Sequence, residues 1–227
     1  MSGTLYIVAT PIGNLGDLTP RAAETFAKAD FIAAEDTRVT LKLLNHLELK
    51  KPLVSYYEHN KASSGGKILD RIQAGEVCAL VSDAGSPAIS DPGEDLVRQC
   101  AEADIPVSAV PGPCAVITAL SISGLPTGRF TFEGFLSTAK KSRNQHLEAL
   151  RTETRTMVFY EAPHKLLATL EDMSAVFGPD RRVSLCRELT KLHEEVIRTT
   201  RGEAAQRDRQ AAPKGEFVLV LAGATPE

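Results

Sequence analysis

The stretch Ser82-Asp-Ala-Gly-Ser-Pro-Ala-Ile-Ser-Asp-Pro-Gly93 sets two carboxylates, three hydroxyls, two glycines and two prolines within twelve positions. It follows an apolar run, residues 77–81, that reads as a buried strand. Just beyond the carboxyl end of a strand is where open α/β sheets bind ligands. Two further segments share this character, Ala9-Thr-Pro-Ile-Gly-Asn-Leu-Gly-Asp17 and Val110-Pro-Gly-Pro-Cys-Ala115. Each follows a strand pattern and leads into a helical one. Their glycines and prolines let main-chain amides and carbonyls approach a ligand closely. One such loop is an ordinary tight turn; three of them point to a small-molecule pocket lined by backbone polar groups.

The charges in these loops decide what the pocket can take. None contains Lys, and together they carry Asp17, Asp83 and Asp91. The chain has no G-x-G-x-x-G and no G-x-x-x-x-G-K-[ST], only Gly13-Asn-Leu-Gly16. Such a pocket repels a polyphosphate. It suits a ligand with an ammonium or sulfonium charge and an adenosine to hydrogen-bond, a description that S-adenosylmethionine meets.

Two other clusters bring ionisable groups together, Ala34-Glu-Asp-Thr-Arg38 and Arg187-Glu-Leu-Thr-Lys191 with Glu194-Glu195 behind it. They read either as a salt-bridged surface or as a polar rim supplying a base, a cation and a contact to RNA. Nucleophile and metal chemistries fare worse. Ser86 has no evident His partner, and there is no G-x-S-x-G. The five His are scattered, and His193-Glu194 lacks the second His of H-E-x-x-H because Ile197 stands there. No metal site is therefore expected. Cys78, Cys100, Cys114 and Cys186 form no Cys-x-x-Cys pair and read as reduced core or pocket thiols.

The elements that must position these residues alternate. Strands are expected at 5–9, 31–34, 52–56, 77–81 and 107–110, with helices from Pro20 (capped by Thr19) and over 37–47, 67–74, 93–103 and 114–123. That alternation indicates an α/β domain with a largely parallel sheet. The segment 124–128, Gly-Leu-Pro-Thr-Gly, reads as a linker. The expected division is therefore an N-terminal α/β domain over 1–123 and a C-terminal α/β domain over 129–227. In the latter, strands are expected at 129–135, 156–160, 182–187, 196–200 and 217–221, and helices at 144–151, 164–177 and shortly after 200.

The chain has 227 residues and a net charge of −3, which does not suggest an obvious nucleic-acid binder. The charge is uneven: 10 Lys and Arg stand against 15 Asp and Glu over 1–128, and 16 against 14 thereafter. Lys140-Lys-Ser-Arg143, Arg181-Arg182 and Arg198-Thr-Thr-Arg201 are local basic clusters, either solvated faces or contacts to a phosphate backbone. No apolar run approaches the ~20 residues of a membrane span, and no signal-peptide pattern opens the chain. A cytoplasmic location is expected.

The chain resembles the tetrapyrrole-methylase superfamily of S-adenosylmethionine-dependent enzymes. Within it, the likeness is to the small-subunit (16S) ribosomal RNA (cytidine-2′-O)-methyltransferases. ATPIGNLGDLTPRA (9–22), AEDTR (34–38), SDAGSPAISDPG (82–93) and PGPCAVITALSISGLP (111–126) carry the likeness. FEGFL (132–136), FYEAPHK (159–165), RELTKLHEE (187–195) and KGE (214–216) continue it. AEDTR, YEAPH and RELTK separate the RNA-methylating branch from its tetrapyrrole-modifying relatives. Ser86 replaces the usual Thr but keeps the hydroxyl, Ser137 stands where Pro usually follows G-F-L, and Lys165 where Arg is common.

The resemblance implies two α/β domains with the cofactor, S-adenosyl-L-methionine, in the cleft between them, and a homodimer. It implies that Pro11, Asp83, Gly85, Ser86, Ile89, Cys114 and Ala115 border the cofactor, with Glu161 and Leu189 carried over less securely. The implied reaction is 2′-O-methylation of a cytidine ribose in the decoding region of small-subunit ribosomal RNA, within the assembled subunit. Glu188, Lys191, Arg187 and Lys214 are, by charge and position, the candidates for base and cation. Two alternatives stay open: a methyltransferase acting on a porphyrinoid, which would not need AEDTR or RELTK, and a non-catalytic ribosome-associated protein that binds the cofactor.

Overall fold

The computed structural model describes residues 3–210 and 213–225. Its chain divides into two compact units, Met1–Cys114 and Ala115–Glu227.

The first unit is a five-stranded sheet in the order β3-β2-β4-β1-β5, built from β1 (Leu5–Val8), β2 (Phe31–Ala34), β3 (Leu53–Ser55), β4 (Cys78–Val81) and β5 (Val107–Val110). Every pairing is parallel. A parallel sheet buries both faces, so its central strands read as unbroken apolar runs. Side chains alternate between two cores. Leu5, Phe31, Ala33, Cys78 and Leu80 meet α3 (Lys61–Gln73) and α4 (Glu94–Glu102) through Ile68, Ile72, Leu96 and Cys100. Val8, Ile32, Ala34, Ala79 and Val81 meet α1 (Pro20–Lys28) and α2 (Thr37–His46) through Ala22, Phe26, Leu43 and Leu44. Full burial of Phe26 and Phe31 contributes about 1.5–3 kcal/mol each. Thr19 caps α1 as expected, its Oγ1 accepting from the Ala22 amide at 3.2 Å.

The chain winds outward from β1 through β2 to β3, then returns to place β4 beside β1 and β5 on the far side. The connections after β1 and β4 thus leave in opposite directions and on opposite faces. Between these neighbouring strands the sheet has its topological switch point, where the carboxyl-end loops part and leave a crevice.

Helix α3 begins at Lys61, six residues before the start read from the sequence. Gly65 and Gly66 resemble a break, yet the helix runs through both, and Gly65 lies against the buried Tyr56 ring, where a Cβ would stand in ordinary contact at 3.6 Å.

The second unit's sheet has the order β6-β7-β10-β8-β9, from β6 (Phe130–Phe135), β7 (Thr156–Glu161), β8 (Arg182–Arg187), β9 (Glu195–Thr200) and β10 (Phe217–Leu221). Only β6 and β7 are parallel; the rest of the sheet is antiparallel. Met157, Phe159, Leu185 and Leu219 face α7 (Leu166–Phe177), with Leu147 of α6 (Lys140–Ala149) and Ala204 of α8 (Arg201–Gln210) in the same core. Helix α5 (Ala115–Ile122) packs on β10 and β7. Arg198 of β9 donates to the carbonyls of Ile122 (2.6 Å) and Ser123 (3.2 Å) at its end. The units therefore part at Cys114, ahead of the 124–128 segment read as a linker. That segment is held: Thr156 Oγ1 donates to the Pro126 carbonyl at 2.6 Å.

Gly93 supports the loop that precedes α4. Its φ is +146°, and a Cβ there would lie 2.9 Å from Leu80 Cδ2 and 3.0 Å from Ala88 Cβ. Gly93→Ala is expected to destabilise the first unit by about 1–3 kcal/mol, read as a lowered urea midpoint with unchanged slope. An unchanged midpoint would show that the loop relaxes freely.

Candidate cofactor and acceptor sites

In the first unit the three Gly- and Pro-rich loops leave β1, β4 and β5, adjacent strands whose carboxyl ends lie side by side. Thr10 and Gly85 exchange main-chain hydrogen bonds at 2.9 and 3.0 Å, joining the first two loops. Thr10 Oγ1 also donates to the Ser82 carbonyl at 3.3 Å. The Ala9 amide donates to Val110 at 3.2 Å, which ties in the third loop. A Cβ on Gly85 would lie 3.4 Å from Ile12 and 3.7 Å from the Pro113 carbonyl, so all three loops converge on Gly85. Gly85 has φ +82°, and Ala88 and Ser90 hold the left-handed conformation at +66° and +65°. Backbone strain of this kind persists where the surroundings over-determine a loop, as at ligand sites.

The β2–α2 turn, which contains Ala34-Glu-Asp-Thr-Arg38, locks onto the same edge. The Asp36 amide donates to Asp83 Oδ1 at 3.0 Å, and the Asp83 amide donates to Glu35 Oε2 at 3.2 Å. Asp36 itself is spent on Arg38, whose guanidinium holds its carboxyl down at about 2. Glu35, Asp83 and Asp91 behave oppositely. Burial raises all three above the ordinary carboxylate range. For Glu35 and Asp83, hydrogen bonds from backbone amides oppose the rise, and repulsion from neighbouring carboxylates adds to it. Asp91 is pushed up to about 6 by burial and then by Glu35. No salt bridge among the described residues engages any of the three. Oδ2 of Asp17 in the first loop is buried without a hydrogen-bond partner. A crowded, underneutralised acidic edge is relieved by a cation.

The structure thus brings Asp83, Gly85 and Ser86 together with the Pro11 and Cys114 loops, while Ile89 stands half exposed at the tip of its loop. Ala115 opens α5 and belongs to the second unit. Glu35 and Asp91 were absent from the expected ligand set. The signal for Asp91 was its place in the densest loop. The signal for Glu35 was weaker, because sequence does not reveal that β2 lies next to β4.

In the second unit, Arg187, Glu188, Lys191 and Lys214 gather where β8 turns into β9 and β10 begins. Lys191 Nζ donates to Glu188 Oε1 (2.9 Å) and Glu216 Oε2 (2.8 Å). Glu188 Oε1 also accepts from the Glu216 amide at 2.9 Å, while the Glu188 amide donates to the Glu216 carbonyl at 3.0 Å. Gly215 (φ +89°) makes room for this latch, since a Cβ there would lie 2.5 Å from Glu188 Cγ. Arg187 pairs with Glu195 at 3.3 Å and reaches the Lys214 carbonyl at 3.4 Å. Glu188 and Thr190 both have positive φ, +52° and +65°.

The Glu216 amide, then Lys191, hold the Glu188 carboxyl below its usual range. Burial works against the charge on Lys191, but Glu216 and Glu188 outweigh it and raise the ammonium above its usual value. Lys191 is a fixed cation. Glu188, with its oxygen doubly engaged, is a brace and a poor base. Leu189 is buried in the same turn. Glu161, at the end of β7, is also buried, and its two oxygens accept from the Ala162 amide (2.9 Å) and Thr169 Oγ1 (2.6 Å), securing the entry to α7.

Most of the basic clusters serve the fold. Arg143 is buried against Asp172 at 2.6 Å, and Arg198 caps α5. Arg201 is fully buried, and burial followed by Arg181 lowers its pKa to about 10. Arg181 and Arg201 both lie over the Phe177 ring at 5.4 Å. Of the two readings left open for these clusters, Arg143, Arg198 and Arg201 fit neither, being engaged by Asp172, by carbonyls at a helix end and by the core, while Arg182, Lys140 and Lys141 remain exposed.

Residues 4–205 match the tetrapyrrole (corrin/porphyrin) methylases. Among curated relatives, the ribosomal RNA small subunit methyltransferase I of Synechocystis sp. is 55% identical over 225 residues, covering 99% of this chain and 81% of the relative. The Bacillus subtilis protein of the same name is 48% identical, covering 99% and 77%. Among solved structures, a cobalt precorrin-4 methyltransferase of cobalamin biosynthesis aligns with a TM-score of 0.71 at 15% identity, covering 96% of this chain and 94% of its own. A Thermus thermophilus uroporphyrin-III C-methyltransferase, solved with S-adenosylhomocysteine, aligns at 0.67 and 16%, covering 97% of each chain. At that identity the likeness shows a shared fold, and the sequence relatives carry the rest: the chain belongs to the tetrapyrrole methylase family, in the branch of the ribosomal RNA small subunit methyltransferase I proteins.

Proposed function

We propose that this protein transfers a methyl group from S-adenosylmethionine to the ribose 2′-oxygen of a cytidine in the decoding region of small-subunit ribosomal RNA. It does so in the cytoplasm, on the assembled subunit and as a homodimer. The observation that carries the reading is the pairing of two unlike sites on one chain. One is an acidic, glycine-lined strand-end edge that fits a cationic nucleoside. The other is a braced lysine in Arg187-Glu-Leu-Thr-Lys191, one of the segments on which the resemblance to the RNA-methylating branch rests.

The donor supplies an electrophilic methyl on a sulfonium. Asp83, Glu35 and Asp91 favour that positive charge, Gly85 permits close backbone approach, and Ser86 offers a hydroxyl. Much of the rate comes from holding acceptor oxygen, methyl and sulfur in line. A ribose hydroxyl is a weak acid, so the developing alkoxide needs a cation. Lys191 fills that role, oriented by Glu188 and Glu216, and the hydroxyl proton passes to solvent water as the oxygen–methyl bond forms and the methyl–sulfur bond breaks. Lys214 is exposed and, among the described residues, in no ion pair, so it is free to meet a phosphate.

A proton linkage follows from Asp91. Between the ordinary aspartate range and about pH 6 the folded chain holds a proton on this group. A bound cation favours the anion and expels that proton. Cofactor affinity is therefore expected to rise from pH 5 to 7, by at most about tenfold per unit for this group, and Asp91→Asn to bind more weakly with a shallower profile, the remainder coming from Glu35 and Asp83. Calorimetry over that range checks this; a flat profile in the unchanged chain would remove Asp91 from the site.

The acceptor class is tested by incubating the protein with methyl-labelled cofactor and either small ribosomal subunits or a porphyrinoid. Label in the RNA fraction supports the proposal. Label in the porphyrinoid overturns it, as does cofactor binding with no transfer to either.

A further inference from the structure

We propose that Phe135, backed by Tyr160 and followed by Lys140 and Lys141, is a stacking platform for an unpaired base of the RNA substrate. This inference rests on the RNA reading above and locates a part of the acceptor surface that the Lys191 motif does not include.

The platform begins with an irregularity in β6. Phe132 pairs with Val158, Gly134 with Phe159 and Phe135 with Tyr160, so Glu133 is an extra residue in the ladder. Without it, residues three apart would point to opposite faces. The bulge, with Gly134 at φ +64°, resets the alternation and brings Phe132 and Phe135 to the face of Tyr160. Both rings meet Tyr160 edge to face, at centroid distances of 5.0 and 5.4 Å. The outcome is odd for packing alone: Phe135 stays 57% exposed in a chain that has only 5% aromatic residues and no Trp. An exposed ring held by an edge-to-face neighbour presents a flat apolar surface at little entropic cost.

The residues that follow make the surface rigid and positive. Arg143 donates to the carbonyls of Ser137 (3.2 Å) and Thr138 (3.3 Å) while pairing with Asp172, so a buried ion pair pins the loop from Phe135 to α6. Ser137 Oγ accepts from the Ala139 amide at 3.2 Å. Lys140 and Lys141 are exposed, and no salt bridge among the described residues involves them. They stand in the first turn of α6, where the helix dipole disfavours cations, so the fold itself gains nothing from them. A ring for a base, followed five and six residues later across a pinned loop by two exposed ammonium groups for phosphates, is complementary to single-stranded nucleic acid.

The test is steady-state methylation of small ribosomal subunits by the full chain, alongside calorimetric cofactor binding and sedimentation. Phe135→Ala is expected to raise KM for the subunit about tenfold, the loss of one stacked base, with kcat and cofactor affinity unchanged. Phe135→Trp should restore KM. Replacing Lys140 and Lys141 by Gln should flatten the dependence of log KM on log salt by about one to two units of slope. If the unchanged chain labels RNA while Phe135→Ala and the lysine variant match it in KM and salt dependence, the platform is overturned and the RNA reading stands. If Phe135→Ala instead shifts the sedimentation coefficient to that of a smaller species, the ring belongs to a contact between copies and the platform is likewise overturned. If the unchanged chain labels no RNA, the function proposed above fails first.

Discussion

Lys191→Met is expected to lower the methyl-transfer rate about 10²-fold or more, with S-adenosylmethionine binding as tightly as to the unchanged chain. The magnitude is that of removing one preorganised group from a developing oxyanion. The reason is geometric. Lys191 is held between Glu188 and Glu216 at 2.9 and 2.8 Å, which fixes an ammonium that would otherwise swing freely. Met keeps the length and apolar stem of the side chain and removes only the charge. Glu188→Gln should act more weakly, because the amide oxygen can still accept from the Glu216 backbone. Single-turnover kinetics separate this from a loss of RNA affinity. A variant that transfers methyl at the normal rate would remove Lys191 from the chemistry and direct attention to Arg187 and Lys214.

Arg143→Met is expected to cost about 3–5 kcal/mol, the price of leaving Asp172 buried without its partner. Both side chains are nearly enclosed, 10% and 12% exposed, and the guanidinium also satisfies two carbonyls of the β6–α6 loop. For a chain of this length the melting temperature should fall by about 10 °C. Arg98→Ala is the control. That arginine pairs with Asp95 and Glu102 on an open helix face, 57% exposed, so its loss should leave the melt nearly where it was. Equal shifts for the two variants would contradict this account of the second unit's rigidity.

Local rules made much of the fold legible. The β-branched and apolar runs of β1, β2, β4 and β5 found their strands, and the Thr19–Pro20 pair marked the start of α1, because these depend on near neighbours. Helix α6 was read from Asn144 but begins at Lys140. Its first turn turns a basic residue, Arg143, inward to Asp172, 29 positions away, and no helical pattern of apolar residues announces that. The same limit explains the arginine clusters. Sequence shows their charge but not that Arg198 and Arg201 find helix-end and chain carbonyls that only the tertiary fold brings near.

The candidate site divides in the same way. The 82–93 loop announced itself by composition. The roles within Arg187-Glu-Leu-Thr-Lys191 were not separable until the Glu216 amide was seen on Glu188, a contact between strands 28 residues apart. Phe135 was visible only as one aromatic among several. Its exposure depends on a bulge, and single residues added to a strand leave little trace in the pattern of polar and apolar positions.

The central claim is tested most directly by identifying the atom that receives the methyl group. Unmodified small ribosomal subunits would be incubated with the protein and methyl-labelled S-adenosylmethionine, the RNA digested to nucleosides, and the products resolved by mass spectrometry. The account expects the label in 2′-O-methylcytidine. Label on a base carbon or nitrogen, or on the ribose of another nucleoside, would contradict it.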